Sequence, residues 1–211
     1  SRDGCEIRPE SVGIIVYADD ILIMATTVTA LQLLLKMCEN GLNWLAMSTN
    51  ACKAACLRIG KDYKTVPVCI RTIDGREIPW QDNVRYLGMQ LVANNVFTCS
   101  FDNGKKSYYR AFNAIYSKIG GIASEEVILE MLKMKCLPVL LYGTDVCPVN
   151  KKQLKSLEYV LTSSLMKTFR TESRDIVDDC MKFFGLSSIE HVVLKRKNSF
   201  EHHLRTIAFA I

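Results

Sequence analysis

The chain has 211 residues, is 49% hydrophobic and carries a formal net charge of +5, enough to bury a core as one large domain or two small ones. No apolar run approaches the length of a membrane span, and no charged leader precedes an apolar stretch, so neither a membrane protein nor a secretory signal is expected. Residues 1–100 hold ten Lys+Arg against ten Asp+Glu, whereas residues 101–211 hold seventeen against twelve; this modest basic excess fits a polyanionic partner, and solvated helix faces explain it almost as well.

Residues 11–25 read as a hairpin. Two short apolar runs rich in β-branched residues, Gly13–Val16 and Ile21–Ala25, flank Tyr17-Ala18-Asp19-Asp20. Residues 28–46 read as an amphipathic helix, with Leu31, Leu34, Leu35, Cys38, Leu42 and Leu45 at helical spacing and Thr26 or Thr27 as its cap. Residues 54–59, 66–70 and 84–92 read as strands, with Asp74-Gly75 as a hairpin turn. After about residue 103 the period is helical throughout. Tyr108, Phe112, Ile115, Tyr116 and Ile119 mark one face, ended by Gly120-Gly121. A second helix opens after Ser124 with Glu125 and Glu126 at its positive end, kinks at Pro138 and runs to about Gly143. Leu154, Leu157, Leu161, Leu165 and Phe169 mark a third helix, and Ile176, Cys180, Phe183 and Phe184 a short fourth. Ser187-Ser188-Ile189-Glu190 suggests a capping box for a last helix that aligns Phe200, Leu204, Ile207 and Ile211. The class is therefore α+β, passing to all-α near residues 95–105.

Nine cysteines occur without a Cys-x-x-Cys, and His191, His202 and His203 complete no zinc spacing. A reduced protein with buried thiols is expected rather than a disulfide framework.

The chemistry centres on Asp19 and Asp20. Asp is common in ordinary turns, but here both flanks look buried, and holding two like charges between buried flanks is costly. A divalent cation with oxygen ligands, usually magnesium, relieves that repulsion.

Tyr17-Ala18-Asp19-Asp20 resembles the aromatic-Ala-Asp-Asp signature, the third palm motif, of the reverse transcriptases of non-LTR (LINE-type) retrotransposons. The order downstream also resembles that family: a helix, Asn50-Ala51-Cys52-Lys53, Leu57-Arg58-Ile59-Gly60, then Val84-Arg85-Tyr86-Leu87-Gly88 as a primer-grip hairpin. The segments around Lys105–Ile115 and Leu137–Gly143 are similar to its thumb, so the likeness spans roughly residues 4–170. It implies a partial palm in 1–100 (antiparallel strands with a helix) and an all-α thumb bundle with a C-terminal extension in 101–211. It further implies nucleotidyl transfer to a primer end on an RNA template, with two Mg2+ (or Mn2+) ions about 4 Å apart. By the resemblance, Asp19 is the stronger metal ligand and Asp20 ligates less directly. Tyr17 lies beneath the primer end as packing, with Ala18 beside it among the primer- or substrate-binding residues, and Tyr86, Leu87 and Gly88 form the grip; without the resemblance, a core strand with a bulge is an equal reading of the last three. Lys53 reaches the triphosphate, where it neutralises charge or protonates the leaving group; a solvated loop lysine is an equal reading. The family often carries Ser or Thr after that lysine, where this chain has Ala54. Lys105, Lys106, Arg110 and Lys118 form a candidate phosphate-facing set on the first thumb helix, each of which alone also suits a solvated face. The basic cluster Lys195-Arg196-Lys197 has no assigned role.

The same resemblance exposes what is missing. The family's first palm motif supplies a third carboxylate well upstream, together with the fingers, and only eighteen residues precede Asp19. Asp3, Glu6 and Glu10 lack its apolar strand context, and the first residue is Ser. The chain is thus expected to be the distal part of an intracellular polymerase (nuclear, cytoplasmic or both), inactive and aggregation-prone by itself, with the upstream half as its partner. The alternative is a decayed or repurposed nucleic-acid-binding module. A plain magnesium phosphohydrolase leaves the ordered downstream motifs without a reason.

Overall fold

The fold is α+β. The computed structural model describes residues 5–7, 10–65 and 68–208, with small antiparallel sheets and one long helix in residues 1–98 and helices in residues 99–211.

In the first unit, β1 (Cys5–Ile7) pairs with β2 (Glu10–Val12), and β3 (Ile14–Tyr17) pairs with β4 (Asp20–Ile23). Helix α1 (Val28–Trp44) starts where Thr27 accepts a hydrogen bond from the Ala30 amide at 3.1 Å, which satisfies one of the donors a helix start leaves free. Leu34 and Leu35 are its buried stripe. β5 (Ile70–Arg71) and β6 (Glu77–Ile78) pair around a loop in which Gly75 takes φ +80°. β7 (Asn83–Tyr86) and β8 (Met89–Val92) form a second tight hairpin, and β9 (Thr98–Ser100) straddles the division between the units. The core of this unit is small: Leu35, Cys56, Ile70 and Ile78, with Ile23, Val28, Leu31, Ala54 and Trp80 packed against it. Polar side chains reinforce it. The Gln32 amide donates to Arg71 O at 2.6 Å and accepts from Arg71 N at 2.8 Å, imitating a neighbouring strand. The buried Glu39 carboxylate accepts from the Ile73 amide at 2.9 Å.

Three expectations need correction here. Residues 54–59 form no continuous strand; they make isolated parallel bridges, Cys56 with Trp80 and Ile59 with Asn94. Pro79, whose carbonyl accepts from the Cys56 amide, has no N–H with which to extend a ladder. Of residues 66–70 only Ile70 lies in a strand, and 66–67 fall outside the described residues. The flanks of the first hairpin are not buried: Val16 is 63% and Tyr17 64% exposed, because the sheet has two strands and its edges have no partner strand among the described residues.

The second unit contains α2 (Asp102–Ile119), α3 (Glu125–Met131), a π turn (Leu132–Cys136), α4 (Leu137–Leu140), α5 (Lys151–Phe169), α6 (Arg174–Phe183) and α7 (Ile189–Ala208). Tyr108 and Phe112 of α2, Leu132 and Leu140, and Leu157, Leu161 and Leu165 of α5 are buried. The kink expected at Pro138 takes the form of the π turn just before it, where the Leu137 amide reaches back five residues to Leu132 O. The extra residue makes room for a proline that lacks an N–H and whose ring would clash with the preceding turn. The helix ends at Leu140, three residues short of Gly143. On α6 the buried residues are Val177 and Met181, while Ile176 and Phe183 are 50% and 84% exposed. The aromatic that packs is Phe184, stacked on Phe169 at 5.9 Å. At α7 the capping hydroxyl is that of Ser188, which accepts from His191 N at 3.3 Å, joined by Glu158 Oε2 accepting from Ile189 N at 2.8 Å.

Candidate functional site

Tyr17 and Asp20 are directly paired across the first hairpin, so Ala18 and Asp19 are a two-residue turn. Ala18 has φ +52° and Asp19 does not share the positive sign, the pattern of a type II′ turn with alanine where glycine is preferred. Residues opposite one another in an antiparallel pair share a face. Asp20 therefore lies on the face of Tyr17, Ile15 and Leu22, while Ile14, Val16 and Ile21 share the face of Ile23, which packs on the core. Asp19 and Asp20 are both exposed, and neither forms an ion pair among the described residues.

The tip thus presents two carboxylates on consecutive residues of a tight turn. Among the described residues no group of three or more His, Cys, Asp or Glu side chains gathers around a possible metal position. Two carboxylates fit the way magnesium is usually held, by one or two carboxylates with waters and phosphates filling the other positions. They do not make a closed protein cage.

Lys53 ends a turn shaped by Asn50, whose side chain accepts from Cys52 N at 3.1 Å and whose carbonyl accepts from Lys53 N and Ala54 N, both at 3.0 Å. Ala51 is buried beneath the turn and Lys53 is exposed. Lys53 forms no ion pair with Asp19 or Asp20. In the β7–β8 hairpin Tyr86 pairs with Met89, and Leu87 and Gly88 both have positive φ, +45° and +82°. This is the type I′ pattern, so Gly88 is required by the turn itself, and Leu87 is held in a conformation that costs a bulky residue free energy.

The four basic candidates on α2 have different surroundings. Lys105 is bound to Asp102 Oδ1 at 2.7 Å and donates to Ser156 Oγ at 3.0 Å. Its partners hold the Asp102 carboxyl below the usual carboxylate range, the bond from Lys105 first and that from Ser100 second. Lys106, Arg110 and Lys118 are exposed and make no ion pair among the described residues. Lys106, Arg110, Asn113 and Ser117 recur at helical spacing opposite the buried Tyr108 and Phe112. Lys167, absent from the sequence reading, lies on α5 over the Tyr116 ring at 4.8 Å and donates to Asn113 Oδ1 at 3.2 Å. Nothing local in the sequence marks it, since the contact spans about fifty residues.

Residues 4–91 match the family model of the reverse transcriptase (RNA-dependent DNA polymerase). The matched segment contains the first hairpin, α1 and Lys53, and it ends inside β8. No curated protein and no solved structure matches the chain.

Proposed function

We propose that this chain supplies part of the catalytic palm and the thumb of an RNA-directed DNA polymerase of the non-LTR (LINE-type) retrotransposon class, working inside the cell on an RNA template and a DNA primer. The observation that carries the reading is the two-residue hairpin tip with Asp19 and Asp20, lying within the segment that matches the reverse transcriptase family. Residues 1–100 act as the partial palm and 101–211 as the thumb with its extension. Asp19 and Asp20 hold divalent metal through oxygen. Bound magnesium supplies charge neutralisation at phosphate oxygens and a lowered pKa at a coordinated hydroxyl. Tyr17 presents an exposed ring on the face of Asp20 for a primer end to rest on. Lys53 offers a mobile ammonium to the triphosphate, and the Leu87-Gly88 turn offers backbone to the primer. On α2, Lys106 and Arg110 take duplex phosphates, Lys118 extends the same basic helix, and Lys105 is committed to Asp102 and Ser156.

With no group of three or more His, Cys, Asp or Glu side chains gathered among the described residues, the chain alone is proposed not to extend a primer; a third carboxylate comes from the upstream half of the polymerase. That same observation favours a second reading, a decayed or repurposed module that binds nucleic acid without catalysis. The test is binding of a primed RNA template by the chain, with and without magnesium, for wild type and Asp19→Asn/Asp20→Asn. Magnesium-enhanced binding that the double variant loses supports the polymerase reading. Salt-sensitive binding indifferent to magnesium and to the substitutions supports the second. Absence of binding refutes both, and robust extension by the chain alone refutes the proposed incompleteness.

A further inference from the structure

Cys99 and Cys147 are 48 positions apart in sequence, yet their sulfurs meet at 2.7 Å inside the second unit. Both are buried, at 0% and 7% exposure. Each backbone is anchored independently. Gln153 Nε2, in the first turn of α5, donates to Cys99 O at 2.8 Å, and the next residue but one, Phe101, is buried. The Cys147 amide donates to Gly143 O at 2.9 Å, within a turn whose fully buried Thr144 donates from its hydroxyl to Leu141 O at 2.8 Å. Two thiols held together by separately fixed backbones need little rearrangement to join, since a disulfide bond is about 2.05 Å long. Two buried cysteines acting as small hydrophobes need no such meeting of sulfurs.

We propose that Cys99 and Cys147 are an intramolecular redox pair, converted by a peroxide into a disulfide that ties β9, just before α2, to the turn after α4. Cys147, the residue of the pair with any exposure (7% against 0%), reacts first: its thiol and one peroxide give the sulfenic acid and one water. The Cys99 sulfur then attacks the sulfenic sulfur, the S–S bond forms, the S–O bond breaks, and the Cys99 proton leaves with the hydroxyl as a second water. Each thiol loses one hydrogen and the peroxide oxygens leave as water. The order follows from the surroundings: burial, and after it the neighbouring thiol, push the Cys99 thiol up, so it is a poor target for an oxidant in solution. The exposed Cys52 and Cys69 have no such partner sulfur among the described residues.

The full chain, treated with hydrogen peroxide or with dithiothreitol, is denatured, alkylated, digested and mapped by mass spectrometry. The expected result after peroxide is one dominant cross-linked peptide pair containing Cys99 and Cys147, two hydrogens lighter than the separate peptides and released by dithiothreitol. Recovery of both as singly alkylated peptides, while Cys52 and Cys69 are oxidised, overturns the proposal. The tie is expected to raise the Tm of the oxidised protein by roughly 10 °C over the reduced one. Cys147→Ala loses both the cross-link and the rise, and Cys52→Ser/Cys69→Ser keeps both. An oxidised wild type that melts no higher than the reduced form overturns the stapling role, and the wild-type peptide map decides the chemistry even where Cys147→Ala fails to fold.

Discussion

Ala18→Gly at the tip of the first hairpin tests whether the turn that presents Asp19 and Asp20 is held under strain. Ala18 sits at φ +52°, where an L-residue with a Cβ pays about 1–2 kcal/mol relative to its preferred wells. Glycine removes that penalty and adds back about 0.5–1 kcal/mol through the greater freedom of the unfolded chain. The residue is exposed, so little packing is lost with the methyl. The net expectation is a stabilisation of roughly 0.5–1 kcal/mol, or a rise of about 2–8 °C in a transition of the size of residues 1–98. Thermal denaturation reads the global effect. Slower hydrogen exchange at the β3 and β4 amides reads the local one, since a hairpin of this size opens on its own before the unit does. Ala18→Val is the opposing control and loses at least about 1 kcal/mol, because a β-branched residue tolerates positive φ worst. A destabilised Ala18→Gly, or an Ala18→Val equal to wild type, refutes the strain argument and with it the type II′ assignment of the tip.

Three further outcomes follow from the second unit. Tyr108 is fully buried, and its hydroxyl has no hydrogen-bond partner among the described residues; Ser164 beside it partly offsets the burial that pushes the phenol up, but donates its own hydroxyl to Val160 O at 3.1 Å. Tyr108→Phe is therefore expected to be neutral or stabilising by chemical denaturation, while Tyr108→Ala loses about 3–5 kcal/mol. The Glu158 carboxyl is pushed up by burial, against the bond from the Ile189 amide and the charge of Arg174, with Asp178 and Glu190 adding to the rise. A raised acid binds its proton more tightly folded than unfolded, so its contribution to stability is complete below the ordinary carboxylate range and fades as pH rises through the raised value. Denaturant midpoints across pH 3–7 should show Glu158→Gln, which keeps an acceptor for Ile189, losing that component of the pH dependence. Lys106→Ala/Arg110→Ala should weaken duplex binding and reduce the slope of log K against log salt by about two, with no change in Tm; an unchanged slope removes α2 from the interface.

Local rules carried most of what could be read in advance. Thr27 and the leucine stripe located α1 because a cap and a 3.6-residue period both act within a few residues. The tip at Asp19 and Asp20 was legible for the same reason. What escaped depends on distant chain: Gln32 joining Arg71 across 39 positions, and Glu158 capping Ile189 across 31. The face of α6 was misread because two stripes competed, and the one carrying Val177 and Met181 won while the larger Phe183 stayed outside. The apolar flanks of the first hairpin were read as buried because their composition suits a strand covered on both faces, yet nothing in composition says whether neighbouring strands exist. The turn that sets Asp19 and Asp20 at the hairpin tip is local and therefore legible, whereas which other side chains come near it belongs to tertiary structure.

The mismatch between strand composition and strand exposure has a measurable consequence. Ile15, Val16 and Tyr17 are exposed on a two-stranded sheet, and edges of this kind recruit other chains through their unpaired backbone groups. At micromolar concentration the chain is expected to self-associate, seen as a concentration-dependent rise in sedimentation coefficient. Val16 is the place to interrupt it. At 63% exposure its side chain contributes little to the core, and a lysine there sets charge against charge when two edges meet. Val16→Lys should therefore reduce association by roughly tenfold, about 1.4 kcal/mol, without lowering Tm. If the association were driven by the helices of the second unit, the substitution would leave it unchanged. If wild type sediments as a single species up to high micromolar concentration, the edges are covered in solution and the open-sheet argument fails.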